Sequence, residues 1–243
     1  MPIKAVIFDY IGTLVNCRGY SMADSEDNLH SALVAEGFAL EKTSFLQAYE
    51  LAHQKYRKVR YEQFREVTNS VWVCETLCNL GFKVSADDAR VKTALNVFFQ
   101  DFIDTLELRA GAKKLLAQTQ PRCKLGLISN FTHAPVIYKS LRKLDLCKHF
   151  NAIVVSEEVG WRKPSPEIFQ ATLSRLQVRA GEVVYVGDSP IEDVKGAKEA
   201  GLTTIFVPSQ FNKLKDLVQS KQEPTFVSKN LAQVSRSLER LFV

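Results

Sequence analysis

The chain has 243 residues, enough for one large domain or a core carrying a smaller insert. At 46% hydrophobic and 24% charged it has the composition of a soluble globular protein. No apolar run approaches the roughly 18 residues that span a membrane, and MPIKAVIFD reaches a charge too early for a signal peptide, so a cytoplasmic location is expected. The net charge of +5 suits a small anionic substrate but is too small and too scattered for nucleic acid.

Residues 3–8 form an apolar run that reads as a buried strand and ends at Asp9. Residues 16–108 then read as almost all helix. SMADSEDNLHSALVAEGF carries Leu29, Leu33 and Val34, with Gly37 as its stop. FLQAYELAHQKY and YEQFREVTNSVWVCETLCNLG keep a helical period, the second with Phe64, Val67, Val71, Cys74 and Cys78 in one stripe. SADDARVKTALNVFFQDFIDTL opens with Ser85 and Asp88 in capping-box spacing. Within this region lies the densest basic cluster, Lys55, Arg57, Lys58, Arg60 and Arg65. Of the five cysteines, Cys74 and Cys78 would share a helix face as core thiols, because no His or Cys nearby completes a zinc site. An odd count outside a secretory context argues for free thiols.

From about residue 111 the texture changes. Short β-rich runs at 123–129, 152–156, 183–187 and 203–207 alternate with helical stretches near 133–144, 166–177 and 190–200. That alternation predicts βαβ units and a parallel sheet, which residues 3–8 would join. The domain expectation is a core of 1–15 and 109–243 with a helical insert of 16–108.

Ligands of open α/β sheets bind beyond the carboxyl ends of the strands. Asp9 follows the first strand, Ser129 and Asn130 the second, Lys163 the third and Asp188 the fourth. A nucleophile candidate, a hydroxyl, an ammonium and a further acid thus share one edge.

In that order the residues resemble the haloacid dehalogenase superfamily, in its branch with a helical cap after the first strand. FDYIGTL resembles the first motif, LISN the second, KPSPEIF the third and GDSPIEDVKGAKEAG the fourth. The resemblance implies a three-layer α/β/α sandwich with a Rossmann-like core. It implies Asp9 as nucleophile, forming a covalent aspartyl intermediate. Ser129 and the Asn130 backbone N–H would hold the transferring group, and Lys163 would pair with Asp9 and offset phosphoryl charge. Mg²⁺ would be held by Asp9, the backbone carbonyl of Ile11 and Asp188, with Asp193 bracing the site. Asp193 also reads as a first-turn helix acid favoured by the helix dipole.

One position departs from the pattern. Two residues beyond the nucleophile, phosphatases of this superfamily carry an Asp that protonates the leaving group and activates water; here stands Ile11. A missing general acid/base costs about 10²–10⁴ in rate. The 2-haloacid dehalogenases of the superfamily also lack that Asp, since halide leaves without a proton. They need no metal, however, and replace the Gly-Asp pair that this chain keeps at Gly187-Asp188. The expected function is therefore a Mg²⁺-dependent phosphatase of a small metabolite. The alternatives are a 2-haloacid dehalogenase and a non-catalytic phosphate-binding protein. Substrate identity and oligomeric state are not legible in the chain.

Overall fold

The computed structural model describes residues 2–242, which divide into two compact units, 2–17 with 106–242 and 18–105. The first unit is built on a six-stranded parallel sheet. Its strands are β1 Ala5–Asp9, β4 Lys124–Ser129, β5 Ala152–Val155, β6 Val183–Gly187, β7 Thr203–Phe206 and β8 Phe226–Val227, in the spatial order β5-β4-β1-β6-β7-β8. Every residue of β1 and β6 is buried, as expected of a parallel sheet covered on both faces. Alternation along β1 sends Ala5 and Ile7 to one face and Val6 and Phe8 to the other. The first face packs with Ile168, Phe169 and Leu176 of the helix Pro166–Leu176 and with Ala197.

Register aligns the carboxyl ends. Asp9 pairs with Ile128, Phe8 with Val186, Ser129 with Val155 and Gly187 with Phe206. Because β4 and β6 lie on either side of β1, the chain direction through the sheet reverses there. That reversal is where an open α/β sheet forms its crevice.

Three features of this unit differ from the sequence expectation. Residues 16–108 are not all insert, because Val15–Cys17 (β2) and Leu106–Leu108 (β3) form an antiparallel ribbon that belongs with the sheet unit. Three-residue strands carry too little pattern to register as a period. The stretch 190–200 begins as a π-helical turn, Pro190–Lys195, and only Gly196–Glu199 is α-helical. Beyond β7 the chain adds Leu214–Ser220, β8 and the amphipathic helix Leu231–Leu241.

The second unit is helical: α1 Met22–Ala35, α2 Lys42–Glu62, α3 Asn69–Asn79, α4 Ala89–Phe98 and α5 Gln100–Asp104. Its buried side chains include Leu29, Leu33, Phe45, Tyr49, Trp72, Leu77, Leu95 and Phe98, whereas Val34 is exposed. The stripe expected from Phe64 to Cys78 is broken. Phe64 takes a left-handed φ of 54° and residues 63–68 are not helical. The Nε of Arg60 donates to the buried Glu66 carboxylate at 2.9 Å, a pairing six residues apart that a continuous helix would hold on different faces. Asp88, not Ser85, caps α4, by accepting from the Arg90 N–H. The Ser85 carbonyl instead accepts from the Cys74 thiol. All five cysteines are free, and Cys78 is exposed rather than in the core. Among the described residues no helix is long and apolar enough to cross a membrane.

Gly196 illustrates how tightly the sheet unit closes over its third loop. A Cβ there would stand 2.8 Å from the Pro164 Cα and from Phe169. Overpacking of this kind costs about 1–3 kcal/mol. Gly196→Ala should lower the urea midpoint accordingly with an unchanged m-value; a midpoint equal to wild type would mean that the loop yields freely.

Candidate active site

The strand ends converge on one buried ammonium. Lys163, 1% exposed, donates from Nζ to Asp9 Oδ1 at 2.7 Å, to Asp193 Oδ1 at 2.7 Å and to the Tyr185 hydroxyl at 3.0 Å. These bonds use all three of its protons. Tyr185 in turn donates to Asp193 Oδ1 at 2.9 Å. The other Asp193 oxygen accepts the backbone N–H groups of Asp188 at 3.0 Å and Ser189 at 2.8 Å. Asp193 is thus saturated by protein donors and braces the loop from within. The π turn makes this possible, since it brings Val194 N–H back to Ser189 O and folds Asp193 under the end of β6. Gly187 makes room, as a Cβ there would lie 2.4 Å from the Asp193 Cγ.

Asp9, Asp188 and Asp193 each place a carboxylate oxygen within 4.8 Å of the other two, and all three are buried. The second oxygen of Asp9, Oδ2, is buried with no hydrogen-bond partner. Gly12, at a φ of 101°, lets the turn after β1 press against Asp188; a Cβ there would meet that carboxylate at 2.7 Å. Ile11 sits half-buried in the same turn.

The electrostatics follow from this crowding. Burial pushes the Asp9 carboxyl well above its ordinary value; Lys163 opposes the shift and Asp193 and Asp188 reinforce it. Burial also lifts Asp188 to about 6, with Asp193 adding to the shift. Burial works against the Lys163 charge, but Asp193 and Asp9 outweigh it and hold that ammonium well above its ordinary range. Three carboxylates therefore crowd one ammonium, and the Arg109 guanidinium, which donates to backbone carbonyls, answers them only through its charge. A divalent cation fits this donor set: hard oxygen ligands, an orphaned buried carboxylate oxygen and uncompensated negative charge.

The structure brings Asp9, Lys163, Asp188 and Asp193 together. Ser129 lies buried at the end of β4, beside β1. The Asn130 side chain clasps the Lys163 backbone, accepting its N–H at 2.7 Å and donating to its carbonyl at 3.0 Å. Sequence reasoning missed that clasp. It also missed Tyr185, whose place in an apolar strand gave no signal, and Arg109. The Arg109 guanidinium donates to the carbonyls of Gly12 at 2.5 Å, Thr13 at 3.2 Å and Pro208 at 2.8 Å. The basic cluster of α2 lies in the helical unit. Lys55 pairs with Glu75 and Arg60 with Glu66, while Arg57 and Lys58 line a groove with His53 and Tyr61.

The raised Asp188 carboxyl has a consequence for stability. Its ordinary value is 3.8 and its folded value about 6. Stability from such a group is fully present below the lower value and is lost as pH rises through the upper one. In EDTA the wild type should therefore lose stability between about pH 4 and 7 more steeply than Asp188→Asn. Urea unfolding at several pH values measures this, and parallel curves would mean that Asp188 titrates normally.

The description "haloacid dehalogenase-like hydrolase" matches residues 3–201. Haloacid dehalogenase-like hydrolase domain-containing protein 3 of Mus musculus is 28% identical over 214 residues, 85% of this chain and 82% of that protein. A glyceraldehyde 3-phosphate phosphatase of Methanopyrus kandleri is 41% identical over 82 residues, 34% of this chain and 35% of that protein. Among solved structures, a 2-haloacid dehalogenase from Pseudomonas syringae superposes with a TM-score of 0.71 at 22% identity, covering 98% of this chain and 99% of that one. Given a family match across most of the chain and the parallel sheet with its strand-end acids and lysine, the protein belongs to the haloacid dehalogenase-like hydrolases.

Proposed function

We propose that the protein is a Mg²⁺-dependent phosphatase of a small phosphorylated metabolite, working in the reducing cytoplasm that its five free thiols suit. The observation that carries this reading is the buried carboxylate pair, Asp9 with its orphaned Oδ2 and Asp188, whose charge Lys163 offsets only in part. A haloacid site needs the nucleophile alone and has no use for Asp188, which without a cation would repel the substrate carboxylate.

One oxygen of Asp9 attacks phosphorus, the bond to the leaving oxygen breaks, and an aspartyl-phosphate forms. Water then hydrolyses it and returns the carboxylate. The metal, held by Asp9, the Ile11 carbonyl and Asp188, would supply charge neutralisation at the phosphoryl group. Ser129 and the Asn130 backbone N–H receive the phosphoryl oxygens. With its three protons committed, Lys163 acts mainly through Asp9, aiming the carboxylate and opposing the rise that burial imposes on it. Ile11 can neither protonate the leaving group nor activate water. The enzyme therefore favours substrates whose leaving group departs unaided, acyl phosphates among them. Within the helical unit, Arg57 and Lys58 are the candidate cations for an anionic ligand.

A second reading, 2-haloacid dehalogenase, is favoured by Ile11 and by the stretch YEQFREVTNSVWVCETLCNLGFKV, which resembles dehalogenase caps. A phosphatase panel and a halide-release assay, each with and without Mg²⁺, separate the two. Phosphate release should need Mg²⁺ and vanish in Asp9→Asn. Halide release that is independent of Mg²⁺ would overturn the proposal.

The same assay can interrogate the missing acid. Ile11→Asp should raise turnover on an alkyl phosphate by about 10- to 10³-fold and change an acyl phosphate little. A flat response in a folded, Mg²⁺-binding mutant would mean that position 11 does not face the leaving group.

A further inference from the structure

Asp188 is held by a segment remote from it in the chain. Residues 208–213 follow β7 and lie beyond residue 201, where the family match ends. Ser209 Oγ donates to Asp188 Oδ2 at 2.5 Å, and Asn212 Nδ2 donates to the same oxygen at 3.0 Å. The direction of the first bond is fixed by the loop itself. Ser209 Oγ already accepts the N–H groups of Phe211 at 2.9 Å and Asn212 at 3.1 Å, which fill its lone pairs and leave its proton for the carboxylate. The loop is anchored in turn. Arg109 holds the Pro208 carbonyl, Lys213 Nζ holds the Ser209 carbonyl at 2.6 Å, and Gln210 exchanges two hydrogen bonds with the Cys17 backbone. On the other side of the carboxylate, Gly12 packs too closely to admit a Cβ.

Two neutral donors therefore converge on one oxygen of a confined carboxylate. We propose that Ser209 and Asn212 are positioning residues for a divalent cation: by occupying Oδ2 they stop Asp188 from rotating and dedicate Oδ1 to the metal. The inference rests on the reading of Asp188 as a Mg²⁺ ligand and extends the site to a loop outside the family match. Mg²⁺ is demanding in geometry, so a ligand that must be ordered on binding loses affinity. Loss of a partner that orients a metal ligand typically costs 10–100-fold in affinity.

The test is Mg²⁺ titration calorimetry on wild type, Ser209→Ala, Asn212→Leu and Asp188→Asn, with urea unfolding of each in EDTA. Ser209→Ala and Asn212→Leu should each bind Mg²⁺ about 10–100-fold more weakly. Their turnover should recover to within a few-fold of wild type when Mg²⁺ is raised in proportion, a rescue that a general packing defect would not show. Should Ser209→Ala fail to fold, Asn212→Leu carries the test, because its side-chain amide is engaged with Asp188. Wild-type Mg²⁺ affinity in these two variants, alongside lost affinity in Asp188→Asn, would overturn the inference and leave the phosphatase reading intact. Undiminished Mg²⁺ binding in Asp188→Asn would overturn both.

Discussion

The site hangs on the buried ammonium of Lys163 and the two carboxylates it joins. Asp9 ends the central strand, Asp193 comes from the π turn after β6, and Lys163 enters from the loop after β5. Each group alone would be costly to bury. Together, with Tyr185 as a third acceptor, they satisfy the ammonium completely. Removing one partner of such a pair leaves a buried charge uncompensated, a loss of roughly 3–5 kcal/mol. The surrounding devices serve this arrangement: the Asn130 clasp holds the Lys163 backbone, Gly187 admits Asp193, and Gly196 admits the Lys163–Pro164 segment.

The ammonium offsets only part of the negative charge it attracts. Asp188 brings a further carboxylate into the same few ångströms, and Arg109 answers it from a half-buried position behind the Gly12 turn. The result is a crevice in which both Asp9 and Asp188 resist ionisation in the absence of a further cation. Ile11 adds no titratable group to this crowd of acids.

The β2–β3 ribbon explains how a helical unit of this size can interrupt the chain without disturbing the sheet. Val15 pairs with Leu108 and Cys17 with Leu106, so the chain leaves and returns at adjacent points. Arg109, just after the return strand, ties that point to the turn carrying Ile11 and to the loop after β7. Gln210 makes the corresponding tie from the loop to Cys17. The ends of the insertion, the turn after Asp9 and the loop that holds Asp188 thus form one bonded assembly.

By itself the sequence determined the parallel sheet, its strand ends and four of the residues that meet there. Those properties are written locally: a buried strand shows as an apolar run, and the motifs GTL, SN and GDS stand at or just beyond the ends of such runs, with KP a short stretch further on. It also contained the departure at Ile11, which needs only a position to be read. Tertiary structure decided the rest. Tyr185 looks like any apolar strand residue until Lys163, 22 positions away, is packed beneath it. Arg109 and Ser209 have no motif, because their partners are backbone carbonyls and a carboxylate brought near only when β1, β6 and β7 pair. The break at Phe64 escaped the helical period for the same reason: a buried Arg60–Glu66 bond outweighs the period that the intervening residues could continue. Periodicity reports what each segment would bury, whereas hydrogen bonds between distant segments depend on where the finished fold puts them.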